Sequence, residues 1–143
     1  MCAALELNFR MLRPGRLVRA WRRDRILVSL VWAGFARKES LEWWKRNGGE
    51  LVDVPAHRFA ERSDRDRRLR WDDVPAGLIV RGLIEPNDDK PLLKIVTRAS
   101  TPEELLRFEH PRMPLIEPAL FCAEFPPEDP GDGPTVNPQA ELF

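Results

Sequence analysis

The sequence predicts an α+β fold: one domain of mainly antiparallel strands with a few short helices and an extended C-terminal tail. Three observations carry that expectation. The chain has 143 residues, 43% of them hydrophobic, enough for one core but not for two independent ones. Its apolar segments are short and punctuated by turn residues, the pattern of strands, whereas only two stretches carry helix-start signals. Beyond residue 125 the composition changes to Pro126, Pro127, Pro130, Gly131, Gly133, Pro134 and Pro138, which suits an extended or disordered segment rather than a core. The expected division is therefore a domain at 1–125 and a tail at 126–143.

Residues 5–11 alternate apolar and polar before the turn Arg13-Pro14-Gly15-Arg16. A second strand is expected at 17–21, and Arg23-Asp24 separates it from the strongly apolar 26–32, so the start of the chain reads as an antiparallel meander. Ser40 is a candidate N-cap for a short helix that carries Trp43 and Trp44 and stops at Asn47-Gly48-Gly49. Strands are expected at 50–54, ended by Pro55, then at 78–84 and 92–97 on either side of the turn Pro86-Asn87-Asp88-Asp89. Ser100-Thr101-Pro102-Glu103-Glu104 opens a second helix: a cap, a proline in the first turn and acid at the positive end of the dipole. Pro111 follows its end.

The formal net charge is zero, yet it is unevenly spread. Residues 1–72 carry 17 Lys and Arg against 10 Asp and Glu, and residues 73–143 carry 6 against 13. The basic excess is mostly Arg, in bursts at 10–25 and 58–70, and the planar guanidinium matches phosphate. A nucleic-acid face and a solvated surface interlaced with Asp24, Asp64 and Asp66 are both compatible with that pattern. No apolar run reaches the length of a membrane span, the longest being 26–35, and the start lacks the layout of a signal peptide. A cytoplasmic protein without a membrane partner is expected. Two cysteines, Cys2 and Cys122, and two histidines, His57 and His110, include no C-x-x-C pair, so neither a metal site nor a cofactor is expected.

Three features fall in a telling order: Met1-Cys2 at the start, Val54-Pro55-Ala56 followed by Phe59 and Glu61 in the middle, and His110-Pro111-Arg112-Met113-Pro114 later. In this order and spacing the chain resembles the SOS response-associated peptidase (SRAP) family, which begins Met-Cys, has a central V-P-A-D-G-F-Y-E strand, and has an H-x-R-M-P motif after a helix. Arg81-Gly82-Leu83-Ile84-Glu85-Pro86 is similar to the family's A-G-L-W-E-P strand, and Lys94-Ile95-Val96-Thr97 to its T-I-V-T strand. The resemblance is best over 50–116. The family's M-C-G-R start reads Met1-Cys2-Ala3-Ala4 here, and its N-A-R-x-E motif has no clear counterpart: Trp32-Ala33-Gly34-Phe35 stands for either the family's W-G-L segment or that motif, and the motif's Asn is absent in both cases.

The resemblance implies a barrel-like sheet and an abasic-site sensor acting on single-stranded or junction DNA in the DNA damage response. Removing Met1, which the small Cys side chain permits, would make Cys2 a 1,2-aminothiol. Its amine, with an ordinary pKa of about 7.7–8.0, is partly neutral at physiological pH. It would condense with the aldehyde of an abasic sugar, and the thiol would close a thiazolidine ring, leaving a covalent protein–DNA link. By the same resemblance Glu61 would position the amine and relay protons, His110 would serve as acid or base, and Arg112 would hold the neighbouring phosphate. Arg37, Arg22 and Arg23 are further candidates for DNA contacts. The family's peptidase name implies self-processing ahead of Cys2.

The chain ends Gln139-Ala140-Glu141-Leu142-Phe143, the Q-x-x-L-F form of peptides that dock into the bacterial sliding clamp. Gln139 would bond the pocket rim and Leu142 and Phe143 would fill it; a terminal strand packed on the domain is the competing expectation. The alternative function is a non-catalytic DNA-binding accessory module recruited to replication forks by that peptide. A magnesium nuclease built on Asp53, Glu61, Asp72 and Asp73 is a further rival, although no pair has a recognisable nuclease spacing.

Overall fold

A computed structural model describes residues 2–127. Eleven strands and two α-helices follow one another among them. β1 (Cys2–Leu7) and β2 (Arg10–Leu12) form a hairpin, then β3 (Leu17–Arg22) and β4 (Ile26–Arg37) form another. After α1 (Leu41–Arg46) come β5 (Glu50–Val54), β6 (Arg58–Arg62), β7 (Leu69–Asp73), β8 (Leu78–Glu85) and β9 (Leu92–Ala99). α2 (Pro102–Phe108) leads to β10 (Arg112–Pro114) and β11 (Ile116–Pro118).

The strands form two sheets. One has the order β2-β1-β6-β7 and is antiparallel throughout. The other has the order β10-β9-β4-β3-β5-β8-β11, and an additional pairing of β9 with β8 closes its middle strands into a barrel. Closure leaves none of the five barrel strands with an open edge. The single parallel pairing is β4 with β9; the chain reaches it by crossing through the other sheet, the long connection that parallel strands require.

One core serves both sheets. Leu5 and Phe59 from the four-stranded sheet pack with Val18, Trp32, Val52 and Ile95 of the barrel and with Phe108 of α2. A close approach explains one small residue: a Cβ on Gly82 would lie 2.9 Å from side-chain atoms of Leu93 and Val54. Gly34 sits at the bulge that shifts the β4–β9 register, with φ +111°. A left-handed backbone of this kind favours glycine.

The expected α+β, mainly antiparallel architecture is present. Three expectations need correction. Residues 5–11 are not one strand, because Asn8 and Phe9 take φ of 52° and 64° and turn the chain back as a two-residue hairpin loop. The meander does not stay in one sheet, since β1–β2 and β3–β4 part company at the Arg13–Arg16 turn. The Arg-rich stretch after Pro55 contains two unforeseen strands, β6 and β7, whose charged alternation hides a buried face at Phe59 and Glu61.

Helix signals translate unevenly. Thr101 forms a complete capping box with Glu104, whereas Ser40 stands at the N-cap of α1 without a side-chain cap bond. The first residues of the expected tail lie against the domain: the Pro126 carbonyl accepts from Asn8 Nδ2 at 3.4 Å and that of Pro127 from an Arg19 guanidinium at 2.6 Å. Gln139, Leu142 and Phe143 lie outside the described residues. No helix among the described residues is long and apolar enough to cross a membrane.

Candidate active site

Strand register brings the first two candidates together. Cys2 opens β1 and pairs directly with Glu61 on β6, followed by a bulge between Cys2 and Ala4. Both residues have no exposed surface. The third candidate, His110, arrives from the end of α2, whose Phe108 packs on Phe59 of β6. α2 ends when Glu109 takes a left-handed φ of 55°, and the sharp exit delivers the next residue, His110, so that its Nδ1 lies 3.9 Å from Glu61 Oε1. The amide nitrogen and the carbonyl oxygen of Arg112 both lie 3.0 Å from the same ring nitrogen, which accepts from the first or donates to the second according to its tautomer.

Burial tunes all three groups. Burial, opposed in part by the chain's amino terminus, pushes the Glu61 carboxyl up to about 7, well above an ordinary glutamate. It also pushes the Cys2 thiol upward, with the Glu61 charge adding to the effect. Burial lowers His110, and the amino terminus lowers it further. A carboxyl near 7 beside a depressed imidazole makes a pair of groups that exchange a proton at little cost near neutral pH.

Arg112 is anchored rather than extended. Its guanidinium donates to both oxygens of Glu39, at 2.9 and 3.0 Å, and to the Thr97 carbonyl at 2.8 Å. The paired guanidinium holds the Glu39 carboxyl down at about 2. Arg37 lies on the same side of the barrel, because it pairs in register with Thr97, and its side chain is 67% exposed. Glu39 joins the candidate site through Arg112, and the sequence motifs did not nominate it. A signal was present: Ala36-Arg37-Lys38-Glu39 spells the A-R-x-E of the motif without a clear counterpart, with Phe35 in the place of Asn.

Arg22 and Arg23 are not gathered with these residues. Arg22 pairs with Ile26 at the opposite end of β4 from Arg37, and twelve strand residues span up to about 40 Å. The Arg22 guanidinium donates to both oxygens of Glu50 at 2.9 and 3.1 Å. The second arginine burst is better placed. Its Arg65 and Arg67, 70% and 68% exposed, stand on the β6–β7 hairpin beside Glu109 and Asp64.

The carboxylates named for a nuclease are dispersed. Asp53 is buried against Arg81 at 2.7 Å, Asp72 pairs with Arg107 and Asp73 with Arg58. Among the described residues no group of three or more His, Cys, Asp or Glu side chains is arranged to hold a metal ion. Cys122 is buried, and the His57 ring stacks on Phe125 at 3.8 Å between centroids. Searches of family models, curated proteins and solved structures found no match to the chain.

Proposed function

We propose that the protein traps abasic sites in single-stranded or junction DNA by forming a thiazolidine through Cys2 once Met1 is removed. The observation that supports this reading most is the convergence of Cys2, Glu61 and His110, which stand far apart in sequence: Cys2 is in register with Glu61, and His110 lies 3.9 Å from it.

Hydrolysis of the Met1–Cys2 bond makes the Cys2 nitrogen a primary amine. The amine adds to the aldehyde of the ring-opened sugar, and loss of water gives an imine. The thiol sulfur then adds to the imine carbon while its proton passes to the nitrogen, closing the ring with no atom unaccounted for. A thiol raised by burial is poorly ionised, so the amine is the first nucleophile and the sulfur the second. Glu61, its carboxyl raised by burial, takes the proton released as the amine adds, and His110 supports proton transfer during sugar opening and water loss. An abasic sugar is already unstacked, so bringing it to the site costs least on an unpaired strand.

A second reading, a DNA-binding module without covalent chemistry, draws support from the complete burial of Cys2. Recruitment through 139–143 to a sliding clamp is compatible with either, and both imply association with the nucleoid. Denaturing electrophoresis with single-stranded DNA bearing one abasic site separates them, with intact mass confirming loss of Met1. The covalent reading expects a shifted band that is lost in Cys2→Ala; a processed N-terminus that gives no adduct overturns it.

A further inference from the structure

We propose that Asp64 is a positioning residue for His110, holding the imidazole from its Nε2 side while Glu61 faces Nδ1. The inference rests on the reading above for its catalytic consequence, but its geometry stands apart from it. Asp64 follows Glu61 by three residues and leaves β6 at the start of the β6–β7 hairpin. Its Oδ1 lies 3.9 Å from His110 Nε2, while Glu61 Oε1 lies 3.9 Å from Nδ1. The ring is thus flanked by two carboxyl groups of opposite character. Glu61 is buried, whereas the Asp64 side chain is 57% exposed.

The hairpin is fastened beside the ring. The Asp64 amide donates to the Glu109 carbonyl at 2.9 Å, and the Ser63 hydroxyl donates to the Glu109 carboxylate at 2.9 Å. Arg65 and Arg70 each donate to that carboxylate at 2.6 Å. The backbone bond therefore ties Asp64 to the residue immediately before His110. Strand β6 and this hairpin carry both carboxyl groups, and the Glu109 clamp sets how far they stand from the imidazole.

The consequence is a choice of tautomer. Nδ1 lies 3.0 Å from both the amide nitrogen and the carbonyl oxygen of Arg112, so the backbone serves either tautomer, and the negative charge of Asp64 beside Nε2 selects the one in which Nδ1 accepts from the amide and Nε2 carries the hydrogen. That hydrogen is directed to the side where Asp64 offers negative charge. At 3.9 Å the contact acts through charge rather than as a hydrogen bond. With hydrogen on Nε2, Nδ1 is the position that takes up a proton when the ring becomes charged, where Glu61 lies 3.9 Å away and the Arg112 carbonyl, at 3.0 Å, accepts the new N–H. The other charged groups acting on the ring are the amino terminus and Arg67, which lower its proton affinity, while Asp64 raises it. Arg67 Nη1 also lies 3.7 Å from Asp64 Oδ1 and tempers that charge.

The test is nitrogen-15 NMR of the imidazole rings across a pH titration of the processed protein and Asp64→Asn, with adduct formation followed over the same range. Two histidines make up the whole set, so His57 is an internal reference. In Asp64→Asn, His110 is expected to titrate at lower pH and to lose its preference for the Nε2–H form while His57 stays unchanged. The adduct should form about two- to fivefold more slowly at neutral pH, with its pH profile displaced in the acid direction. Asp64→Glu is expected to restore both readouts, which a purely structural loss would not. An unchanged tautomer and titration of His110 in Asp64→Asn overturns the inference. Absence of adduct in the processed wild type overturns the proposed chemistry instead, and the ring signals then decide the role of Asp64 by themselves.

Discussion

At the residue scale, Glu61 links the candidate chemistry to stability. Its carboxyl is raised from 4.5 to about 7, chiefly by burial, so the folded state binds its proton more tightly than the unfolded chain. The stabilisation that results is complete below 4.5 and is lost as the pH rises through about 7. Glu61→Gln keeps the shape without the titration. Urea melts across that window should show the variant gaining on the wild type by about 3 kcal/mol from the acid to the alkaline side. A constant difference between the two proteins would instead mean that Glu61 is ionised throughout and cannot serve as a neutral-pH acid.

Asp53 and Arg81 show the opposite use of charge. Both are fully buried; the aspartate also accepts amide hydrogens from Leu120, Phe121 and Cys122, and the arginine reaches the Val52 carbonyl and Glu117. The pair thereby ties the segment after β11 to the barrel wall. Asp53→Asn removes the fully buried carboxylate and leaves the partly exposed Glu117 as the countercharge against the buried guanidinium, and should cost about 1–3 kcal/mol. Pairing it with Arg81→Met should recover part of that loss in the same melts. A loss below about 1 kcal/mol in the single variant would show that the site admits water.

At the scale of elements, the β1–β2 hairpin carries a local conflict. Its turn needs two left-handed residues, and Phe9 supplies one of them at φ 64° while 97% exposed. An L side chain is strained in that conformation, and the ring recovers little burial in return. Phe9→Gly completes an Asn-Gly turn and should raise stability by about 0.5–1 kcal/mol, read from thermal or urea unfolding. A destabilised variant would mean that the ring packs against neighbours despite its exposure.

At the scale of the whole molecule, the basic excess of the N-terminal half divides between the two ends of the barrel. Arg37 and Arg67 lie toward Cys2, Glu61 and His110, and Arg22 and Arg23 lie at the far end of β4. Binding to an intact single strand should therefore be weakened more by Arg37→Ala with Arg67→Ala than by Arg22→Ala with Arg23→Ala. The first pair should also flatten the dependence of log affinity on log salt, its slope falling by about one for each phosphate no longer neutralised. Equal effects from the two pairs, measured by fluorescence anisotropy at several salt concentrations, would place the strand elsewhere.

Local chemistry made much of this protein legible in its sequence. Apolar runs bounded by turns marked β5, β8 and β9; Thr101-Pro102-Glu103-Glu104 marked the start of α2; and motif order nominated Cys2, Glu61 and His110 as a group. The strand and helix signals depend on neighbours within a few residues, which a sequence displays directly. Tertiary structure alone decided the closure of the barrel by β9 on β8, the parallel pairing of β4 with β9, and the recovery of β6 and β7 from an arginine-rich stretch. It also set Arg112 against Glu39 and Asp64 against His110. Those pairings join residues remote in the chain, and burial decided whether a charged side chain became a surface group, an anchor or a buried acid. A sequence displays the charges, but the dielectric surroundings and partner of each are properties of the fold.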